Sequence, residues 1–305
     1  MTGISTFACV ACGGTESAPR FSGCRDLYLG HPLVVDYVRC SACGLVQQHP
    51  VPADLGALYV DYPIHADKPG LHEWFRRVVL KGVYFDPSNL PVGSRLLDFG
   101  CGDGWFLGSM KKAGVVCEGY EFQPDHAQRL SAHLGLPVFG ETDRLARERT
   151  GAYQAITMHY VLEHVASPRS TLATLERLLA PDGLLYIVVP NVDSWEGRVF
   201  ARRWHGLDPP RHVSFPTPSV MQSLANDAGL LLETSRHVAF APTSAASIVS
   251  VVAGRYRHAL FLAAMPAGVI LSRMAPSGSL SYVLRKPGPT SHAVQLQSTG
   301  HRADT

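Results

Sequence analysis

An acid, Asp98, stands just before three glycines in Leu96-Leu97-Asp98-Phe99-Gly100-Cys101-Gly102-Asp103-Gly104. Glycines after an apolar run let the backbone turn tightly and approach a ligand closely. Several nucleotide-binding folds use such a loop, and two details narrow the choice. A dinucleotide loop needs a third small residue where helix meets strand. With Gly100 and Gly102 as its first two glycines, that place holds Trp105. The Asp98 carboxylate, moreover, repels a pyrophosphate and attracts a ligand bearing an ammonium and a sulfonium. The loop therefore favours S-adenosylmethionine over NAD. Glu121 follows about 20 residues on, where an acid can accept both ribose hydroxyls. Phe122 beside it can lie against the adenine. The plainer reading of Glu121 is a solvated carboxylate at a strand end.

Four of the seven cysteines form two CxxC pairs, Cys9/Cys12 and Cys40/Cys43, with Gly13 and Gly44 directly after them. Paired spacing of this kind lets each knuckle give two thiolates to one tetrahedral zinc ion. A four-cysteine site is closed, so the expected zinc is structural. Small buried cysteines would explain Cys101 and Cys117, but not the pairs.

Transfer of a methyl group from a sulfonium is an in-line displacement, and a hydroxyl or carbon acid acceptor must also lose a proton. Histidine can take it near neutral pH. His159 lies just past the fourth strand, where it can meet cofactor and acceptor. His212 sits in Asp208-Pro209-Pro210-Arg211-His212-Val213-Ser214-Phe215, a proline-stiffened loop after the fifth strand. Both are candidates for catalysis, with a satisfied structural histidine as the alternative for His212. Glu163-His164 reads as structural. Tyr59 and Tyr62 lid the cofactor or simply pack.

Apolar runs and helical patterns alternate from residue 94 onward, which implies a mostly parallel sheet with helices on both faces. Strands are expected at 94–99, 115–121, 136–139, 153–158, 184–189, 230–239 and 280–285, with helices at 105–113, 124–134, 169–179 and 217–228. Pro181-Asp182-Gly183 reads as a turn. The domain organisation is a zinc ribbon at 1–50 and a connector or lid at 51–92, helical around 73–80. The cofactor-binding domain takes 93–240 and 279–287, a helical insertion 241–278, and a disordered tail 288–305. The 305 residues carry a net charge of only +2, with 46% hydrophobic and 17% charged residues. No global field steers the chain to nucleic acid, and the ribbon has no stripe of basic and aromatic residues. Residues 1–10 lack the pattern of a secretory signal, so a cytoplasmic location is expected. The apolar run at 259–271 is shorter than the roughly 20 residues that a bilayer span needs. The insertion is expected to roof the acceptor pocket with buried apolar residues. Peripheral membrane contact is its other reading.

The LDFGCGDG loop, the GYE strand end, YQAITMHYVLEHV and LLAPDGLLYIVVPN together resemble the class I S-adenosylmethionine-dependent methyltransferases. The CxxC pairs and PRHVSF resemble the bacterial members with a zinc ribbon, which act on sugars, antibiotics or envelope intermediates. The resemblance covers roughly residues 9–286. It implies an α/β, Rossmann-like, seven-stranded sheet with an antiparallel last strand, and a small-molecule or sugar-like acceptor. Asp98, Gly100, Gly102, Glu121, Phe122 and His159 would then hold the cofactor, and Cys9, Cys12, Cys40 and Cys43 the zinc. Some relatives hold a metal with an ExxEH cluster; here Tyr160 stands at the first acid. Two rivals are an NAD-dependent sugar oxidoreductase or epimerase, which Asp98 and Trp105 oppose, and a non-catalytic cofactor-binding module, which the intact loop and Glu121 oppose.

Overall fold

The computed structural model describes residues 6–59, 82–274 and 276–288. The expected helix at 73–80, Tyr62 and the tail beyond Gly288 lie outside them. A first group of strands, β1 (Ser17–Cys24), β2 (Val35–Cys40) and β3 (Val46–His49), forms an antiparallel meander. The large sheet comprises β4 (Arg95–Phe99), β5 (Val116–Tyr120), β6 (Val138–Phe139), β7 (Tyr153–His159), β8 (Leu179–Pro190), β10 (Leu231–Val238) and β11 (Ser279–Arg285). Its order is β10-β11-β8-β7-β4-β5-β6. β11 pairs antiparallel with both neighbours, and the remaining pairs are parallel. This is the expected Rossmann-like arrangement with its antiparallel last strand.

The two-residue period of a strand divides β4 between two cores. Leu97 and Phe99 join Ile156, Met158, Leu185 and Ile187 on one face. The helices α4 (Pro168–Leu178) and α6 (Pro218–Asp227) cover that side through Leu172, Leu175, Met221 and Leu224. Leu96 points the other way, to Leu107, Cys117, Leu130 and Ala155 under α1 (Trp105–Lys112) and α2 (Pro124–Leu134). Because β5 and β7 leave β4 in opposite directions, the strand order reverses at β4. In open α/β sheets the crevice at such a reversal, at the carboxyl ends of the strands, is where ligands bind.

Three features depart from the expectation. An eight-residue helix, α3 (Thr142–Arg149), separates β6 from β7. The Pro181-Asp182-Gly183 turn is a bulge inside β8, with Asp182 at φ 60°, and not its boundary. The insertion folds as α7 (Ala241–Ala253) and α8 (His258–Leu271); α7 carries a broad buried face, but α8 buries only Met265 and Gly268. Leu260 and Leu262 on α8 are exposed, because just one side of that helix packs against α7.

The small N-terminal sheet is joined to the large domain by a strand. β9 (Ser214–Phe215) pairs antiparallel with β3, Val46 opposite Phe215, and becomes the fourth strand of the small sheet. Tyr37 on β2 is buried against Phe215, and its hydroxyl donates to the Leu207 and His212 carbonyls at 3.1 and 3.0 Å. Phe21, Val35, Val46, Trp204 and Leu207 fill the same core. Asp26, in the loop after β1, meets Arg211 at 2.9 Å, and both side chains are 1% exposed. Arg211 also forks onto Asp208 with contacts of 2.9 and 2.6 Å. Asp26 additionally accepts the amides of Tyr28, Leu29 and His31. Removing one partner of a buried pair leaves an uncompensated charge. Asp26→Ala is therefore expected to destabilise the protein by about 3 kcal/mol, measured by denaturant unfolding. The exposed Asp36→Ala should cost under about 1 kcal/mol. Equal, small losses for both would show that the pair does not join the two parts.

Candidate functional site

The glycine loop leaves β4 at the strand-order reversal. Gly100, Gly102 and Gly104 have φ of 80°, 55° and 71°, a region that L side chains avoid. A Cβ on Gly100 would lie 2.6 Å from a methyl of Val161, so the loop passes directly under the segment that follows β7. Asp98 is buried and accepts the Thr157 hydroxyl at 2.8 Å, as its pairing with Thr157 on β7 dictates. Across the crevice, the Phe85 amide donates to Nε2 of His159 at 3.2 Å. That leaves the proton on Nδ1, which faces an Asp98 oxygen at 3.5 Å. The single lone pair of His159 is thus engaged. Tyr84 covers the same imidazole, its ring 4.3 Å away.

Glu121 directly follows β5, with its side chain turned back on the loop. One carboxylate oxygen accepts the Gly102 amide and the other the amide of Phe122, both at 3.0 Å. Burial pushes this carboxyl up from its ordinary range, against the lowering by those amides. A buried carboxylate with lone pairs to spare favours hydroxyl donors strongly. Phe122 is half exposed beside it, a flat apolar surface set against Phe99 and Tyr120. His126, which the sequence reading passed over, fixes the loop from α2 by donating through Nε2 to the Gly102 carbonyl at 2.8 Å.

A second cluster stands two residues beyond Val161. Glu163 sits in a short 3-10 helix, Leu162–His164, and is fully buried. Among the described residues neither of its carboxylate oxygens has a hydrogen-bond partner, and burial pushes its carboxyl well up. His212 approaches from the loop before β9, held by the Val213 amide on the Glu163 carbonyl at 2.6 Å. Its Nδ1 donates to the Gly206 carbonyl at 2.8 Å, so its lone pair is on Nε2. Nε2 faces Glu163 at 3.9 Å and Asp208 at 4.0 Å. The His164 ring packs edge-on against it at 4.5 Å, and the Tyr59 hydroxyl lies 2.5 Å from Nδ1 of His164. Burial lowers both histidines, His164 to about 3, so both rings are neutral at neutral pH. Burial alone would raise Asp208, but its bonds to Arg211 hold it at about 2 and keep it charged. Glu163, His164 and His212 present donor atoms that all lie within 4.8 Å of one another. The EH pair that reads as structural is thus part of the His212 cluster. Tyr160, at the place of the first acid of ExxEH, turns away to Ser279 at 3.0 Å.

The four paired cysteines converge where the N-terminal sheet meets α6, Cys12 and Cys43 lining a cavity with Val220 and Leu224. Sγ of Cys9 lies 3.6 Å from that of Cys43, Sγ of Cys12 lies 3.6 Å from that of Cys40, and all four fall within 4.8 Å. An edge of a tetrahedron with metal–sulfur bonds of about 2.3 Å is about 3.8 Å. The two knuckles are alike: the Gly13 amide closes on the Cys9 carbonyl and the Gly44 amide on the Cys40 carbonyl, with φ of 75° and 80°. Burial would raise Cys40, but amides of Cys43 and Ala42 and the neighbouring thiols bring it down to about 7. Cys101 and Cys117 are core residues, as expected.

A family model described as a methyltransferase domain matches residues 71–235. A ubiquinone biosynthesis O-methyltransferase of Xanthomonas oryzae pv. oryzae is 33% identical over 107 residues, covering 33% of this chain and 44% of the relative. One of Burkholderia pseudomallei is 28% identical over 167 residues, covering 51% of this chain and 72% of the relative. The chain thus spans less than half the length of the first of these. In fold, it is similar to the 1,6-didemethyltoxoflavin-N1-methyltransferase of Burkholderia thailandensis, solved with S-adenosylhomocysteine. That superposition has a TM-score of 0.51 at 16% identity, covering 85% of this chain and 98% of the other. The family model takes in more than half of the chain, including the glycine loop, Glu121 and the His212 cluster, and the chain belongs to the methyltransferase-domain family.

Proposed function

We propose that the protein transfers a methyl group from S-adenosylmethionine to an O, C or N atom of a small-molecule or sugar-like acceptor. The observation that carries this reading is the contact of Glu121 with the Gly102 amide behind the acid-led loop Asp98–Gly104. The cofactor, when bound, supplies an electrophilic methyl carbon. Glu121 takes the ribose hydroxyls, Phe122 the adenine, and Asp98 the cationic amino-acid end, with Gly100 and Gly102 giving the backbone its close approach. His159 orients Asp98 and does not remove the proton, since Phe85 occupies its lone pair. That task falls to His212, whose Nε2 lone pair is oriented by Gly206 and whose imidazolium Asp208 would stabilise. The four-cysteine cluster holds one structural zinc, which keeps the ribbon in shape. The curated relatives named above act in ubiquinone biosynthesis, in keeping with a small-molecule acceptor.

S-adenosylhomocysteine is expected to raise the melting temperature by mass action on the folded state. Glu121→Ala should weaken its binding by about 1–3 kcal/mol in calorimetric titration. Unchanged affinity would move the ribose elsewhere, and no binding to the unaltered chain would end the cofactor assignment.

With the acceptor found by a screen using radiolabelled donor, His212→Ala should lower turnover by about 10²–10⁴-fold and leave cofactor affinity intact. A base must be neutral, so kcat/KM should fall as pH drops through an inflection below 6.5. Asp208→Asn should move that inflection lower still, because the Asp208 charge favours the protonated ring. A profile with no such limb, or near-normal turnover in His212→Ala, returns His212 to a structural role.

The purified chain should carry one zinc ion, and Cys12→Ser should release it and loosen the ribbon. Metal analysis finding none in protein prepared without chelator would remove the ribbon zinc.

A further inference from the structure

An α-helix that is apolar on every side is stable in water only where something covers every side. α8 has 14 residues, about 21 Å of helix, and its only polar side chain is His258 at the first position. The protein covers one side. Met265 and Gly268 are buried, and Phe261, Ala264 and Val269 pack beside Ala241 and Ala245 of α7. The rest of the α8 surface carries Leu260 (42% exposed), Leu262 (52%) and Ile270 (68%), and Val252 (77%) is exposed near the end of α7. Exposed apolar side chains grouped on one face mark a docking surface, unlike the scattered ones that any protein shows.

The charges around this face identify what it meets. Residues 241–278 contain Arg255, Arg257, Arg273 and His258, and no aspartate or glutamate. Arg255 and Arg257 precede the first turn of α8 and Arg273 follows its last, so exposed cations flank the apolar face at both ends. The ribbon extends the face at the hairpin's turn. The Tyr256 amide donates to the Leu27 carbonyl at 2.8 Å, the rings of Tyr28 and Tyr256 lie 5.1 Å apart, and the adjoining loop exposes Leu29, Leu33 and Val34. Arg25 in the same loop is exposed as well. No helix among the described residues is long and apolar enough to cross a bilayer. A two-fold contact between copies through this face would set arginines against arginines with no carboxylate on it to neutralise them. Apolar side chains between arginines instead suit acyl chains beneath anionic headgroups, with the guanidinium groups reaching up to the phosphates. We infer that the α7–α8 hairpin, with the ribbon loop beside Tyr256, docks the protein in the plane of an anionic lipid surface.

Co-sedimentation of the full chain with vesicles of equimolar phosphatidylglycerol and phosphatidylcholine tests this. Binding is expected, stronger than to pure phosphatidylcholine and weakened by salt. Leu262→Asp with Ile270→Asp should lower vesicle affinity at least about tenfold without lowering the melting temperature, because both side chains are exposed. Arg255→Gln with Arg257→Gln should cost roughly fivefold for each arginine. No sedimentation, or sedimentation untouched by the aspartates, overturns the inference. Should the aspartates unfold the hairpin, the arginine variant decides, and unchanged affinity for anionic vesicles is then the overturning result. A dimer by light scattering that the aspartate pair renders monomeric would identify a second copy as the occupant and equally overturn it.

Discussion

A guanidinium withdrawn from water costs several kcal/mol unless every edge of its fork finds an acceptor. Arg211 is withdrawn almost completely, and its acceptors come from two distant parts of the chain, Asp208 in its own loop and Asp26 beside the small N-terminal sheet. The position of the loop and the burial of Asp26 are thus coupled. His212 follows Arg211 directly, so the same ion cluster that joins the two parts fixes the ring beside Glu163. Arginine suits the position because its planar fork takes two carboxylates at once, which an ammonium cannot do with the same geometry.

Two kinds of preorganisation meet at the carboxyl ends of β4, β5 and β7. On one side, backbone amides and Glu121 satisfy each other before any ligand arrives, which keeps a buried acid tolerable in the free protein. On the other, Glu163 and two neutral histidines gather without compensating hydrogen bonds to the carboxylate. Such a buried group calls for a partner, which an ion, a water molecule or a ligand can supply. Val161 couples the two sides physically, lying over Gly100 and two residues before Glu163.

The centre of the large sheet was legible because β4, β7 and β8 are largely buried apolar runs bounded by glycine or proline, and because Asp98 and Glu121 stand at or beside strand ends. β9 was not legible. Two residues have no period, and their partner is set by a core that Tyr37, Trp204 and Phe215 complete only in three dimensions. α3 escaped for a related reason: of its eight residues only Leu145 is buried, so its sequence carries almost no apolar stripe. The roof expected from residues 241–278 rested on hydrophobicity alone, which cannot tell a covered helix from an uncovered one. In the site, the EH pair looked ordinary in sequence because its partners, His212 and Tyr59, come from distant segments and meet it only through folding.

The pairing of β3 with β9 also bears on how the chain folds. The cysteine knuckles are local in sequence, yet the outer edge of β3 is paired with the distant residues 213–215. Until that pairing forms the small sheet presents a row of unpaired amides and carbonyls, the feature that invites edge-to-edge association. Such a contact, local in space and remote in sequence, also raises the contact order of an otherwise sequentially wound α/β fold and so slows its completion. The small sheet accordingly closes only when the segment around Ser214 and Phe215 is in place beside it.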